Sequence, residues 1–264
     1  MTVRTTIEKA RAEGRAALIG YLPVGFPDVE TSVAAMRAMV AGGVDIVEVG
    51  LPYSDPLMDG PVIQRATEAA LAAGTRTADA FTAVRGVVDA GAPALVMTYW
   101  NLVDRYGVDR FAADLAAAGG SGLITPDLIP DEAAPWQTAS DAYDLDRVYL
   151  VALTSTPQRL ELTANASRGF VYAASLMGVT GERASVGGGA RGLVERVKAI
   201  SDVPVCVGLG VSNGAQAAQV AAFADGVIVG SAFVRALLDA PDRQSGLAAV
   251  EAVARDLANG VRSA

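Results

Sequence analysis

Short apolar runs recur along the whole chain, at 17–22 (ALIGYL), 44–49 (VDIVEV), 94–99 (ALVMTY), 121–125 (SGLIT), 147–153 (RVYLVAL), 169–174 (GFVYAA), 204–208 (PVCVG) and 226–229 (GVIV). They predict eight strands. Most are apolar on both faces, as parallel strands are when helices cover them. Between them lie stretches with helical spacing, at 28–41, 61–73, 77–90, 108–118, 131–140, 157–167, 190–200 and 213–223. Many of these open with a capping Asp, Thr or Asn, or carry proline in the first turn. Several stop at glycine, as at Gly42-Gly43 and Gly91. Residues 1–14 predict an extra N-terminal helix, and 246–259 a final one. Strict α/β alternation repeated eight times leaves a closed barrel or an open doubly wound sheet. No GxGxxG follows the first strand, so the dinucleotide-binding sheet loses its main support. The reading is a single (β/α)8 TIM barrel over residues 1–264, since the 264 residues match the ~250 typical of that fold.

Composition narrows what such a barrel can do. With 52% hydrophobic and 19% charged residues, the chain fills one large core and is not disordered. No apolar run is long enough to cross a bilayer. Residues 1–14 mix charged and apolar positions, so they are not read as a signal peptide. A single cysteine, Cys206, permits no internal disulfide and fits a reducing, cytoplasmic setting. The net charge of -8 disfavours nucleic acid and anionic membranes as partners. An anionic substrate must then be gripped by local N–H groups, against the global field.

Two absences matter more. There is no histidine, and the only lysines are Lys9 and Lys198. Acid–base chemistry must fall to Asp, Glu, Tyr or arginine-tuned groups. Imidazole triads and histidine-ligated metals are excluded.

Glu48 is the most unusual strand residue. With a period of two, Val44, Ile46 and Glu48 share one face, and Asp45, Val47 and Val49 share the other. The second face suits packing on helices, so Glu48 is expected inside the barrel near the C-terminal end of the second strand, where barrel active sites lie. No neighbouring strand offers it an obvious cationic partner. The loop at 51–61 is long for a βα connection and carries Asp55 and Asp59 between prolines. Either aspartate, taken alone, reads equally as a turn or cap residue. A Glu among apolar groups has a raised pKa and stays protonated at neutral pH, while a loop Asp in polar surroundings stays ionised. Together they predict an acid and a charge stabiliser.

Glycine marks the other side. Gly208-Leu209-Gly210-Val211-Ser212 follows the seventh strand, and Gly230-Ser231 follows the eighth and opens a helical stretch. Loops after strands seven and eight, with a short extra helix, form the phosphate site of many barrels. Tyr172, Tyr21 and Tyr99 sit at strand positions from which they could line an aromatic pocket, though ordinary packing explains any one of them. Gly187-Gly188-Gly189 suggests either a mobile lid or a plain loop. Lys9 and Lys198 fall in helices from which neither reaches the C-terminal rim, so a Schiff base is excluded. Any carbon leaving group must then be activated by protonation, which an electron-rich aromatic carbon such as indole C3 permits.

The segment 44–64 (VDIVEVGLPYSDPLMDGPVIQ) closely resembles the signature of the tryptophan synthase alpha subunit family. Tyr99-Trp100-Asn101, Thr125-Pro126-Asp127, GVTG at 178–181, GLGVS at 208–212 and VGS at 229–231 support it in the family's order. The resemblance implies retro-aldol cleavage of indole-3-glycerol phosphate to indole and glyceraldehyde 3-phosphate, the alpha reaction of tryptophan biosynthesis. It assigns Glu48 as the proton shuttle and Asp59 as the group that stabilises charge on the indole N–H. Thr180 matches the lid threonine, and Gly181, Gly210, Gly230 and Ser231 match phosphate positions. Tyr172 matches a pocket tyrosine, and Tyr21 falls where the family usually has Phe. No cofactor is implied in this chain. The implied partner is a beta subunit carrying pyridoxal phosphate, in an α2β2 complex with indole channelled between the chains. The implied contact lies at 52–58 and around 99–101. Departures are the proline of Asp127-Leu128-Ile129-Pro130, one place late, and Phe170, where tyrosine is frequent. Two other readings stay open: a ligand-binding subunit that only regulates its partner, and a different phosphate-binding barrel enzyme such as an isomerase.

Overall fold

The computed structural model describes residues 2–174, 189–208 and 210–264. The chain is an α/β TIM barrel of parallel strands inside a ring of helices. In chain order the strands are β1 (Ala17–Pro23), β2 (Ile46–Gly50), β3 (Ala94–Met97), β4 (Gly122–Ile124), β5 (Asp146–Val148), β6 (Leu150–Ala152), β7 (Val171–Ala174), β8 (Val205–Gly208) and β9 (Gly226–Val229). Hydrogen bonding runs β5-β4-β3-β2-β1-β9-β8-β7-β6. The two ends of that order, β5 and β6, are separated along the chain by Tyr149 alone. They are two halves of the single run expected at 147–153. The first half pairs with β4 and the second with β7. Eight expected strands thus become nine ladder segments around one barrel.

The helices are α1 (Val3–Ala12), α2 (Val29–Ala41), α3 (Pro61–Ala72), α4 (Asp79–Asp89), α5 (Trp100–Tyr106), α6 (Val108–Ala117), α7 (Ala134–Ala142), α8 (Pro157–Ala166), α9 (Gly189–Lys198), α10 (Gly214–Ala221), α11 (Ser231–Leu238) and α12 (Arg243–Arg262). The sequence signals for their starts are used as such. Asp28, Thr156, Asn213 and Asp242 each cap a helix by accepting a backbone N–H three residues on, at 2.7, 3.3, 3.0 and 2.8 Å. Pro61 sits in the first turn of α3. The stretch read as a helix from 131 divides into a short 3-10 turn, Pro130–Glu132, and α7. Helix α5 has no counterpart in the hydrophobic pattern.

Alternation along the strands separates two cores. Leu18, Leu22, Val47, Val49, Val96, Val207 and Val229 pack outward against the helices. Ile19, Ile46, Leu95, Ile124, Phe170, Cys206 and Ile228 fill the barrel, together with Val3, Ile7 and Ala10 of α1. Helix α1 therefore closes the floor, and its apolar face is buried there because nothing else covers the interior side chains at that end. Val44 departs from expectation. It precedes β2 and joins the outer core, so the inward face of that strand begins only at Ile46. No described helix is long and apolar enough to cross a membrane.

Candidate active site

Glu48 stands in the middle of β2, in register with Tyr21 on β1 and Leu95 on β3. Its neighbours in phase along the strand point inward, and so does it. The side chain is fully buried, and neither carboxylate oxygen has a hydrogen-bond partner among the described residues. An ionised carboxylate there loses its water and gains no cation. Burial accordingly pushes its pKa up from 4.5 to about 8. The group is protonated at neutral pH and is held by no hydrogen bond from the described residues. Both properties suit a group that must exchange a proton.

Asp59 lies in the loop between β2 and α3. Gln64 Nε2 donates to the Asp59 carbonyl at 2.7 Å and fixes the backbone at that point. The surroundings differ from those expected. They are mainly apolar, with Leu51, Met58, Ile63 and Met97 lining the same cavity. Desolvation lifts the Asp59 pKa from 3.8 to about 6, and the Tyr99 hydroxyl opposes that rise. Asp59 is therefore largely ionised at pH 7 because it keeps a donor, not because its loop is polar. The separation of the two carboxyls remains: one protonated and one charged between about pH 6 and pH 8.

One cavity, partly open to solvent, brings together Tyr21, Glu48, Asp59, Tyr172, Gly210, Gly230 and Ser231. It opens at the C-terminal ends of the strands. Tyr21 and Tyr172 form its walls, and both rings lie close over backbone. A Cβ on Gly50 would meet the Tyr21 ring and hydroxyl at 2.5 Å, and one on Gly208 would overlap the Tyr172 ring. Glycine at these two strand ends gives the rings their places. Burial raises both phenols well above their ordinary pKa, so both stay neutral donors.

The glycine-rich side has the geometry of an anion cradle. Gly210 adopts a φ of 68°, the left-handed region that glycine enters freely. Gly230 caps α11, and Ser231 begins it. The first N–H groups of a helix have no acceptor within it and carry the positive end of its dipole. They border the same cavity as Glu48, which enters it from β2, two strands round the barrel from β9. Thr180 and Gly181 lie outside the described residues, as do the first two glycines of the 187–189 run.

Sequence reasoning missed three contributors. Met97 and Thr98 line the cavity from the end of β3, and Pro126 from the segment after β4. Their signal was only position at a strand's C-terminal end. The work of the Tyr99 hydroxyl was also missed. It accepts from the N–H groups of Leu57 and Met58 at 2.9 and 3.0 Å. The two lysines lie where expected. Lys198 Nζ donates to Asp225 Oδ1 at 3.0 Å at the opposite end of the barrel, and Lys9 is in α1 on the floor. Among the described residues no cluster of acids and thiols could hold a metal ion.

The sequence matches the family model for the tryptophan synthase alpha chain over residues 7–262. It is 63% identical to the tryptophan synthase alpha chain of Thermobifida fusca, covering 100% of this chain and 99% of that one. It is 62% identical to that of Mycobacteroides abscessus, covering 97% and 96%. Among solved structures, a chain of Mycobacterium tuberculosis tryptophan synthase superposes with a TM-score of 0.93 at 61% identity, over 98% of each chain. The alpha subunit from Legionella pneumophila str. Paris superposes with a TM-score of 0.91 at 33% identity, over the full length of both.

Proposed function

This chain belongs to the tryptophan synthase alpha chain family, and on that footing we propose that its rim cavity cleaves indole-3-glycerol phosphate to indole and glyceraldehyde 3-phosphate by carboxylate acid–base catalysis, with neither a Schiff base nor a metal. The enzyme is a lyase. In the proposed sequence, the protonated Glu48 delivers its proton to indole C3. The ring nitrogen becomes cationic, and the ionised Asp59 stabilises that charge through the N–H. Glu48, now a carboxylate, takes the proton from the hydroxyl on the carbon attached to C3. The carbon–carbon bond breaks, its electrons return to the ring, and the hydroxyl carbon becomes the aldehyde of glyceraldehyde 3-phosphate. Atoms balance without water, and Glu48 ends protonated as it began.

The observation that carries this reading is the fully buried, unpartnered carboxyl of Glu48 in the same cavity as Asp59 and the Gly210, Gly230 and Ser231 backbone. Tyr21 and Tyr172 supply aromatic walls against which an indole ring can pack. The N–H groups at the start of α11, with Gly210, hold the phosphate, Gly181 is proposed to join them, and Thr180 is proposed to contact Asp59 as the lid threonine. The partner is a beta subunit; we assign it the pyridoxal phosphate and the complex an α2β2 composition, in the cytoplasm. The test is indole release from indole-3-glycerol phosphate by the purified chain, alone and with a beta chain added. Saturable release above the uncatalysed rate is expected. No release under either condition overturns the proposal and favours a purely regulatory subunit.

A further inference from the structure

Tyr99 lies at the junction between β3 and α5, 6% exposed, with its hydroxyl turned toward the loop that carries Asp59. That one oxygen accepts from two successive backbone N–H groups, Leu57 at 2.9 Å and Met58 at 3.0 Å. Its own proton is directed at Asp59 Oδ1, 3.5 Å away. A phenol offers two acceptor sites and one donor, so its whole capacity goes to three consecutive residues of one loop. The remainder of Tyr99 is itself tied down. Its ring packs on Tyr53 at 5.1 Å between centroids, and the next residue, Trp100, donates its N–H to Asp127 at 2.9 and 3.1 Å. The contacts chain Asp127 to the backbone of residues 99–100 and then to residues 57–59. Little else holds the tip of this loop, since Leu57 is 73% exposed.

We propose that Tyr99 is a positioning residue, whose hydroxyl sets where the Asp59 carboxylate stands by binding the two preceding backbone amides and donating to the carboxylate itself. The inference rests on the reading that Asp59 takes part in the reaction, but the contact it describes is independent of that reading. A displacement of about 1 Å at a charge-stabilising group costs on the order of a hundredfold in rate. The hydroxyl also counters the desolvation of Asp59. Among the described residues, the other ionisable groups facing Asp59 are Tyr21 from β1, which is neutral, and Glu48 from β2; Asp127 acts on Tyr99 from beyond. None of these described groups is a cation that could compensate when the donor is lost.

The test is Tyr99→Phe, which keeps the ring on Tyr53 and removes only the hydroxyl, with Tyr99→Leu as a second variant that removes the ring as well. Two readouts are needed. The first is carboxyl 13C NMR of the titration of Asp59, assigned with Asp59→Asn, which needs no turnover. The second is the pH dependence of kcat and KM for indole release. In Tyr99→Phe the Asp59 titration moves to higher pH, the acidic limb of kcat moves with it, and kcat falls about ten- to a hundredfold while KM changes less than threefold. Tyr99→Leu shows at least the same loss. An unmoved Asp59 titration in Tyr99→Phe overturns the inference, as does a loss of kcat with no movement of the limb. If the wild-type chain releases no indole but the Asp59 titration still moves, the positioning role stands and the proposed reaction falls.

Discussion

Asp45 and Glu48 are three residues apart, yet they sit at opposite ends of the barrel in opposite circumstances. Asp45 precedes β2 on the floor side. Arg15 grips both its oxygens, at 2.7 and 2.9 Å, and the Leu18 N–H donates to it at 2.8 Å. Asp225 repeats the pattern next door, with Arg11, Lys198 and the Val205 N–H at 2.8, 3.0 and 2.8 Å. Toward the rim, Glu48 has no hydrogen-bond partner among the described residues. Asp45 and Asp225 act as staples between chain segments, with each carboxylate oxygen given a donor. The rim leaves one bare, at a cost in stability that only a task at that position explains. In TIM barrels the floor carries stability and the rim carries chemistry. Here that division is drawn within a single strand.

The contrast can be broken from either side. The largest effect is expected from Glu48→Gln, which keeps the shape and removes the exchangeable proton. Its kcat for indole release should fall about a thousandfold, with binding of a glycerol phosphate analogue preserved by calorimetry. Wild-type turnover in this variant sinks the role given to Glu48. Asp45→Ala should act in the opposite way. It leaves Arg15, whose side chain is 9% exposed, with Glu13 as its remaining carboxylate, which should cost up to about 3 kcal/mol in urea unfolding, while the folded fraction retains its turnover. A large loss of kcat at full folding would show that the floor is not merely structural.

The bare carboxyl also leaves a mark on stability against pH. The folded pKa of Glu48 is raised from 4.5 to about 8. Between those values the folded state holds a proton that the unfolded chain has released. Stability therefore falls as pH rises through that window, by at most ~1.4 kcal/mol per pH unit from this group. Asp59 and Asp146, each raised to about 6, act in the same direction but are spent above that pH. Between pH 6 and 8 the downward slope should belong to Glu48 and flatten in Glu48→Gln, as read by denaturant midpoints at several pH values. Smallest in size is the shape of the rate profile. kcat/KM, which reports the free enzyme, should be bell-shaped, falling below about pH 6 as Asp59 gains its proton and above about pH 8 as Glu48 loses its own. A flat profile from pH 5 to 9 counts against the division of labour.

Much of this was legible in the sequence, and the reasons are local. The inward face of Glu48 follows from a period of two, and two helix starts follow from Asp28 and Asn213; the last helix begins three residues before its expected 246, at the Asp242 cap. What failed depended on distant contacts. Tyr149 interrupts a run that reads as one strand, because the barrel closes there and the pairing changes partner from β4 to β7. Helix α5 is only seven residues and has no side-chain cap, so neither its period nor its start is marked. The environment of Asp59 was misread as polar because its own loop is rich in turn residues. The apolar groups around it come from Ile63 and from Met97 on β3 as well as from that loop. Tyr99 was visible as an aromatic at a strand end, but its hydroxyl acts on residues about forty positions earlier in the chain.

Helix α1 has a consequence that reaches well beyond its own position. Val3, Ile7 and Ala10 stopper the barrel from below and pack with Ile46, two residues before Glu48 on the same face. Among the described residues, the opening that reaches the acid is the rim cavity, not the floor. A leaky stopper would wet Glu48 from beneath and weaken its hold on the proton, with every cavity-lining side chain unchanged. The acidity of the centre is in this sense adjusted by a plug at the far end of the molecule.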